Sequence, residues 1–113
     1  MDTSQAISAF AALAQQSRVD AFRQLVQAGA DGMAAGEIAA RLNARQNTTS
    51  ANLSILLAAG LVQNRREGRV IRYFADMDGV RAMLEFLLED CCGGRAELCR
   101  PLIAEISQIG PNT

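Results

Sequence analysis

The stretch EDCCGGRAELCRP, residues 89–101, holds all three cysteines of the chain. Cys91 and Cys92 are adjacent, and Cys99 follows after six intervening residues, beyond Gly93-Gly94. Neighbouring side chains on a continuous helix diverge by about 100°, so Cys91 and Cys92 can face one atom only where a helix ends or unwinds. A Gly-Gly pair permits that break at low steric cost, and the intervening residues allow Cys99 to fold back onto the pair. Three converging thiolates suit a soft, three-coordinate centre, such as trivalent arsenic or antimony, or a copper(I)-type ion. Zinc asks for a fourth ligand, and the chain has no histidine to supply it. Two other readings compete. In a redox or reactive-sulfur sensor, Cys99 pairs with Cys91 or Cys92 as a disulfide; Glu89 and Asp90 oppose the thiolate this needs, while Arg95 and Arg100 favour it. In the blander reading, Cys91 is a small buried residue closing an apolar stripe.

The elements that must position these thiols come from a small chain. Its 113 residues suffice for one domain, and half of them are apolar. The apolar runs, such as residues 54–62, are too short to span a bilayer, and MDTSQ has neither the basic start nor the apolar block of a signal peptide. A cytoplasmic location is the expectation, where the cysteines remain thiols. The absence of histidine removes the commonest general base, and the chain shows neither a glycine-rich phosphate loop nor a nucleophile elbow, so an enzyme is not expected. Lysine is absent too, so every fixed positive side-chain charge is an arginine. The net charge is −1, but four arginines crowd into RREGRVIR, residues 65–72, while acids dominate from Asp76 onward. A local basic run in an acidic chain suggests one face that meets an anion.

Periodicity then divides the chain. Ile7, Phe10, Ala11 and Ala14 predict a helix over about 4–15. Ser17 is the expected N-cap of a second helix carrying Val19, Phe22, Leu25 and Val26 on one face, ended by the glycines of residues 28–32. EIAARL, residues 37–42, is a short third helix, and Asn43 suits a tight left-handed turn. A fourth helix runs from about 46 to 59 with Leu53, Leu56 and Leu57 inward. Two β-prone runs, 61–65 and 69–75, flank Glu67-Gly68 as a hairpin. Helical period returns with Val80, Met83, Leu84, Leu87, Leu88 and Cys91, a stripe wide enough to require a partner surface. Pro101 begins a last helix carrying Ile103, Ile106 and Ile109.

Short helix, tight turn, second helix and basic hairpin are the order of a winged helix-turn-helix. The fourth helix offers Gln46, Thr48, Ser50, Asn52 and Ser54, small hydrogen-bonding residues suited to base edges and phosphates. No acid occurs between Gln46 and Asn64. Arg65, Arg66 and Arg69 would flank the duplex from the wing. The rival is a winged helix that binds protein rather than DNA.

FAALAQQSRVDAFRQL, GEIAARLNARQNTTSANLSILLAAGLV and RREGRVIRYF, taken together and in order, resemble the ArsR/SmtB family of metal- and arsenic-responsive repressors over roughly residues 5–92. The resemblance implies a mainly α fold with a small β-hairpin: a winged helix-turn-helix dimerising through its N-terminal and C-terminal helices. The expected layout is a single domain, 1–113, with the helix-turn-helix at about 36–60, the wing at 61–76, the dimer helix at 77–92 and a sensor segment at 93–113. The family's recognition helix resembles SQPTVSHHLKVL. Gln46, Thr48 and Ser50 match it and inherit the expectation of DNA contact. Asn47 replaces the proline, and Ala51-Asn52 replace two histidines; Asn52 is added as a DNA contact because asparagine pairs well with adenine. The third helix lacks the Cys-x-Cys pair of many arsenic sensors, and the histidine-containing zinc site on the fifth helix cannot be built. Cys91, Cys92 and Cys99 resemble the C-terminal triad of one arsenite-responsive branch. The resemblance thus implies a homodimeric repressor of double-stranded operator DNA, with no required cofactor, released by As(III) or Sb(III).

Overall fold

The computed structural model describes residues 1–90, and their side chains through residue 88. The expected thiol cluster of Cys91, Cys92 and Cys99, the Gly93-Gly94 break and the helix from Pro101 lie outside the described residues. The order is α1 (Thr3–Ala12), α2 (Gln16–Ala28), a 3-10 turn (Gly29–Asp31), β1 (Met33–Ala34), α3 (Ala35–Arg41), α4 (Gln46–Ala58), β2 (Val62–Glu67), β3 (Val70–Ala75) and α5 (Met77–Glu85). A π-helical turn, Phe86–Asp90, continues α5. This is a mainly helical winged helix-turn-helix with one three-stranded antiparallel sheet ordered β1-β3-β2.

The core forms where helical and strand periods converge. Leu25 of α2, Ile38 of α3, Leu53 and Leu56 of α4, and Leu61 at the corner before β2 are fully buried. Val62 from the sheet and Met83 from α5 close the cluster. Helix α1 contributes only Ala6, Ala9 and Ala12, small side chains that bring its backbone close. Its C-terminal end is tied down by Arg18, whose Nε donates to the Ala12 carbonyl at 2.6 Å.

Two local expectations meet different outcomes. Asn43 sits at φ 53, the left-handed geometry expected of the turn between α3 and α4. Ser17, expected to cap α2, is instead inside the helix, whose N-cap is Gln15 with no side-chain cap bond. Its hydroxyl accepts from Asn52 Nδ2 of α4 at 3.2 Å, so a tertiary partner has claimed it. The first helix also stops at Ala12, short of the expected end. Strand β1 had no sequence signal, because two residues are too few for alternation to show.

Candidate nucleic-acid interface

Helix α4 packs against α2 and α3, and that packing decides which of its side chains remain outside. Leu53 and Leu56 point inward, and so do Thr49 at 3 % and Asn52 at 8 % exposure. Asn52 therefore leaves the set of expected DNA contacts: its amide is spent on Ser17, linking α4 to α2. The physical reason is helical phase. Residues 49, 52, 53 and 56 share the one face that α2 and α3 cover. Gln46 and Thr48 are exposed and Ser50 is half-buried at the edge of the packing. Asn47, Ala51, Ser54 and Ile55 are exposed beside them. Only Ser54 of these four was among the polar residues expected on that surface; the 47, 51, 55 spacing is the signal that finds the others. Between Gln46 and Ala58 the helix has no charged residue.

The wing differs in kind. Strand β2 pairs with β3 from Val62↔Ala75 to Glu67↔Val70, so the connection is the two-residue Gly68-Arg69 loop, one residue later than the expected Glu67-Gly68, because Glu67 is still paired in the ladder. Gly68 takes φ 64 at its first position, the conformation a tight hairpin turn asks of glycine. Alternation along the strands then separates arginines that are adjacent in sequence. Arg65 lies opposite Arg72, one residue out of phase with Arg66, which lies opposite Ile71.

The two faces have different electrostatics. Arg65 donates to Glu67 Oε2 through Nη2 at 2.9 Å and Nε at 3.2 Å, and its guanidinium lies 4.7 Å from the centre of the Phe74 ring. Arg72 reaches the other oxygen of Glu67 at 3.4 Å. It also donates to the carbonyls of Asp31 and Gly32, each at 3.1 Å, and lies 3.6 Å from Glu37. Glu37 in turn accepts from the Ala34 amide at the start of α3 at 2.9 Å. Arg72 is thus a strut that fixes the wing to β1 and the head of α3. Gly32 admits this approach: at φ 62, with a hypothetical Cβ only 2.5 Å from the Phe74 ring and the Tyr73 carbonyl, only glycine fits. Among the described residues Arg66 and Arg69 form no ion pair, and both are exposed.

The arrangement is an uncharged, hydrogen-bonding helix surface beside a hairpin with uncommitted arginines, the parts from which a duplex reader is built. Known proteins are similar to this chain in sequence and fold. A helix-turn-helix domain family matches residues 13–64. The chain is similar to an ArsR-like transcriptional regulator from Rhodococcus sp. RHA1, at 32% identity over 95% of this chain and 93% of that one, with a TM-score of 0.69. The chain belongs to the ArsR family of winged-helix transcriptional regulators. A second ArsR relative in the same range is the homodimeric winged helix-turn-helix domain Mb0332 from Mycobacterium bovis, described as a possible ArsR-family regulator. It is 32% identical over 71% of this chain and 72% of that one, with a TM-score of 0.63. A third structure, described as a possible transcriptional regulator for arsenical resistance, is 32% identical over 71% of this chain and 79% of that one, with a TM-score of 0.55. No curated protein matches. Family and fold are those of transcriptional regulators. Among the described residues no helix is long and apolar enough to cross a membrane.

Proposed function

We propose that this ArsR-family chain is a homodimeric transcriptional repressor. It binds operator DNA through α4 and the wing and is released when Cys91, Cys92 and Cys99 bind trivalent arsenic or antimony. The observation that carries the DNA half is the pairing of an acid-free exposed α4 surface with the exposed Arg66 and Arg69 of the wing, which form no ion pair among the described residues. Phosphate contact by these arginines supplies affinity, and the helix surface supplies position and sequence preference.

Dimerisation rests on apolar surface that the described residues leave uncovered. Helix α1 buries its alanines against the core but turns Ile7, 62% exposed, and Phe10, 37% exposed, the other way. At the opposite end of the chain's described portion, Leu87 is 42% exposed and Leu84 and Leu88 are half-buried. A second copy packing on α1 and α5 covers both, and the Mb0332 relative is a homodimer. Two α4 helices then address half-sites about 34–36 Å apart.

Release follows from where the thiols fall in the chain. The helical rod leaves α geometry at the π-turn Phe86–Asp90, and the next residue is Cys91. π-turns widen the helix and are common at functional sites. Gathering three thiolates immediately beyond this turn changes the end of the dimer helix, and with it the separation of the two α4 helices. Such an inducer works through its differential affinity for the DNA-competent and released arrangements.

The test is titration of a labelled promoter complex with arsenite, zinc and peroxide, comparing the wild type with Cys91→Ser, Cys92→Ser and Cys99→Ser. Release by arsenite, abolished in each single variant, is the expected result. Release by peroxide, surviving one of the three substitutions, would replace the arsenic reading with a two-thiol redox switch.

A further inference from the structure

The exposed surface of α4 restricts which bases it can read, and this inference rests on the DNA-binding reading above. In the major groove the strongest readers of guanine are Arg and Lys and those of cytosine Asp and Glu, while Ser and Thr serve either base pair. Between Gln46 and Ala58 the helix has no Arg, Lys, Asp or Glu. Arg45 precedes it as the exposed N-cap, outside the helix itself. Besides the Ser54 hydroxyl, α4 exposes two amides at its first turn, Gln46 and Asn47, and a stripe of methyl groups at Thr48, Ala51 and Ile55. Those three positions share one helical face, spaced three and four residues apart. Ile55 is 43% exposed on a helix whose Leu53 and Leu56 are fully buried, so it belongs to the outer surface rather than to the core. The stripe rises about 10 Å along the helix, the length of about three base-pair steps at 3.4 Å each.

We propose that α4 reads A·T base pairs, with the Thr48–Ala51–Ile55 stripe packed against the C5-methyl groups of thymines within one window of about three base pairs in each half-site. The amide of Gln46 suits the adenine edge at the same end of the helix, whereas the Asn47 Oδ1 already accepts from the Thr48 backbone N–H at 2.9 Å. Specificity is then carried by methyl packing and amide pairing, with arginine confined to the wing and the helix N-cap.

The experiment is selection of bound sequences from a pool of random duplexes by the full chain, followed by replacement of each thymine in the selected duplex with uracil, which lacks only the methyl. The expected selected half-site has an A·T window. There, uracil at one or more thymines lowers affinity about fourfold per half-site, equivalent to about 0.8 kcal/mol for one buried methyl-sized group. Thr48→Ser and Ala51→Gly proteins should show a smaller thymine-over-uracil preference than the wild type. The DNA-side substitution leaves the protein untouched, so the result stands even if a variant folds poorly. A selected window of G·C pairs, or indifference to uracil throughout, overturns the proposal and leaves the DNA-binding reading intact. If no duplex is retained above a scrambled control, the DNA-binding reading fails and takes this proposal with it.

Discussion

Helix α4 and the wing both present surface away from the core, yet they divide the properties a DNA reader needs. The helix is anchored by Leu53 and Leu56 in the centre of the core and by the Asn52–Ser17 bond to α2, and it exposes no charge. The wing is a thin hairpin that buries only Val62 fully, and it carries Arg65, Arg66, Arg69 and Arg72. Even within the wing the charges are not equivalent. Arg65 and Arg72 are bound to Glu67, and Arg72 further to the turn before β1. A fixed neutral surface can discriminate between bases but attracts a polyanion poorly. A charged hairpin attracts phosphate without reading sequence. The number of arginines on the wing therefore overstates its electrostatic footprint: two of the four hold the hairpin in shape.

The largest perturbation removes both regions at once. Leu56→Ala should cost about 2–5 kcal/mol of folding stability, because it opens a cavity where α4 meets the core; denaturant unfolding measures it, and both DNA-facing regions should fail together. Arg72→Ala comes next. It leaves Glu67 and Glu37 without their shared cation and frees the wing from the Asp31 and Gly32 carbonyls, at about 1–2 kcal/mol for a partly exposed network. Hydrogen exchange should then rise in β2 and β3 while α4 stays protected. Asn52→Ala should cost about 1 kcal/mol, the worth of one buried hydrogen bond, with base preference unchanged in a duplex selection. A changed preference would return Asn52 to the DNA-facing set.

Much of this fold is legible in the chain because its helices follow the 3.6-residue period and its turns use the residues their dihedrals demand. Asn43 and Gly68 illustrate the second point, although the hairpin loop is Gly68-Arg69 rather than the expected Glu67-Gly68. What stays hidden involves partners far away in sequence. Ser17 and Asn52 are 35 residues apart, and Arg72 meets carbonyls 40 and 41 residues before it. No local pattern announces such bonds, so Ser17 reads as a cap and Asn52 as a base contact. On the wing the period-2 alternation is readable, but the sharing of Glu67 between Arg65 and Arg72 depends on the strand register. Sequence places Arg65, Arg66 and Arg69 in one group for that reason. Cys91, Cys92 and Cys99 are legible only as chemistry, since they lie outside the described residues.

Whether the wing attracts while α4 discriminates is decided by salt-dependent binding to one selected duplex and one scrambled duplex. An Arg66→Ala/Arg69→Ala protein should bind both duplexes more weakly. Its slope of log affinity against log salt should flatten by about 0.9 for each phosphate it no longer neutralises, whereas Arg65→Ala should change the slope less because Glu67 already offsets its charge. A Thr48→Ala protein should keep the wild-type slope and lose preference for the selected duplex. The opposite pattern, with discrimination abolished in the wing variant and the salt slope flattened in the helix variant, would overturn this division of labour.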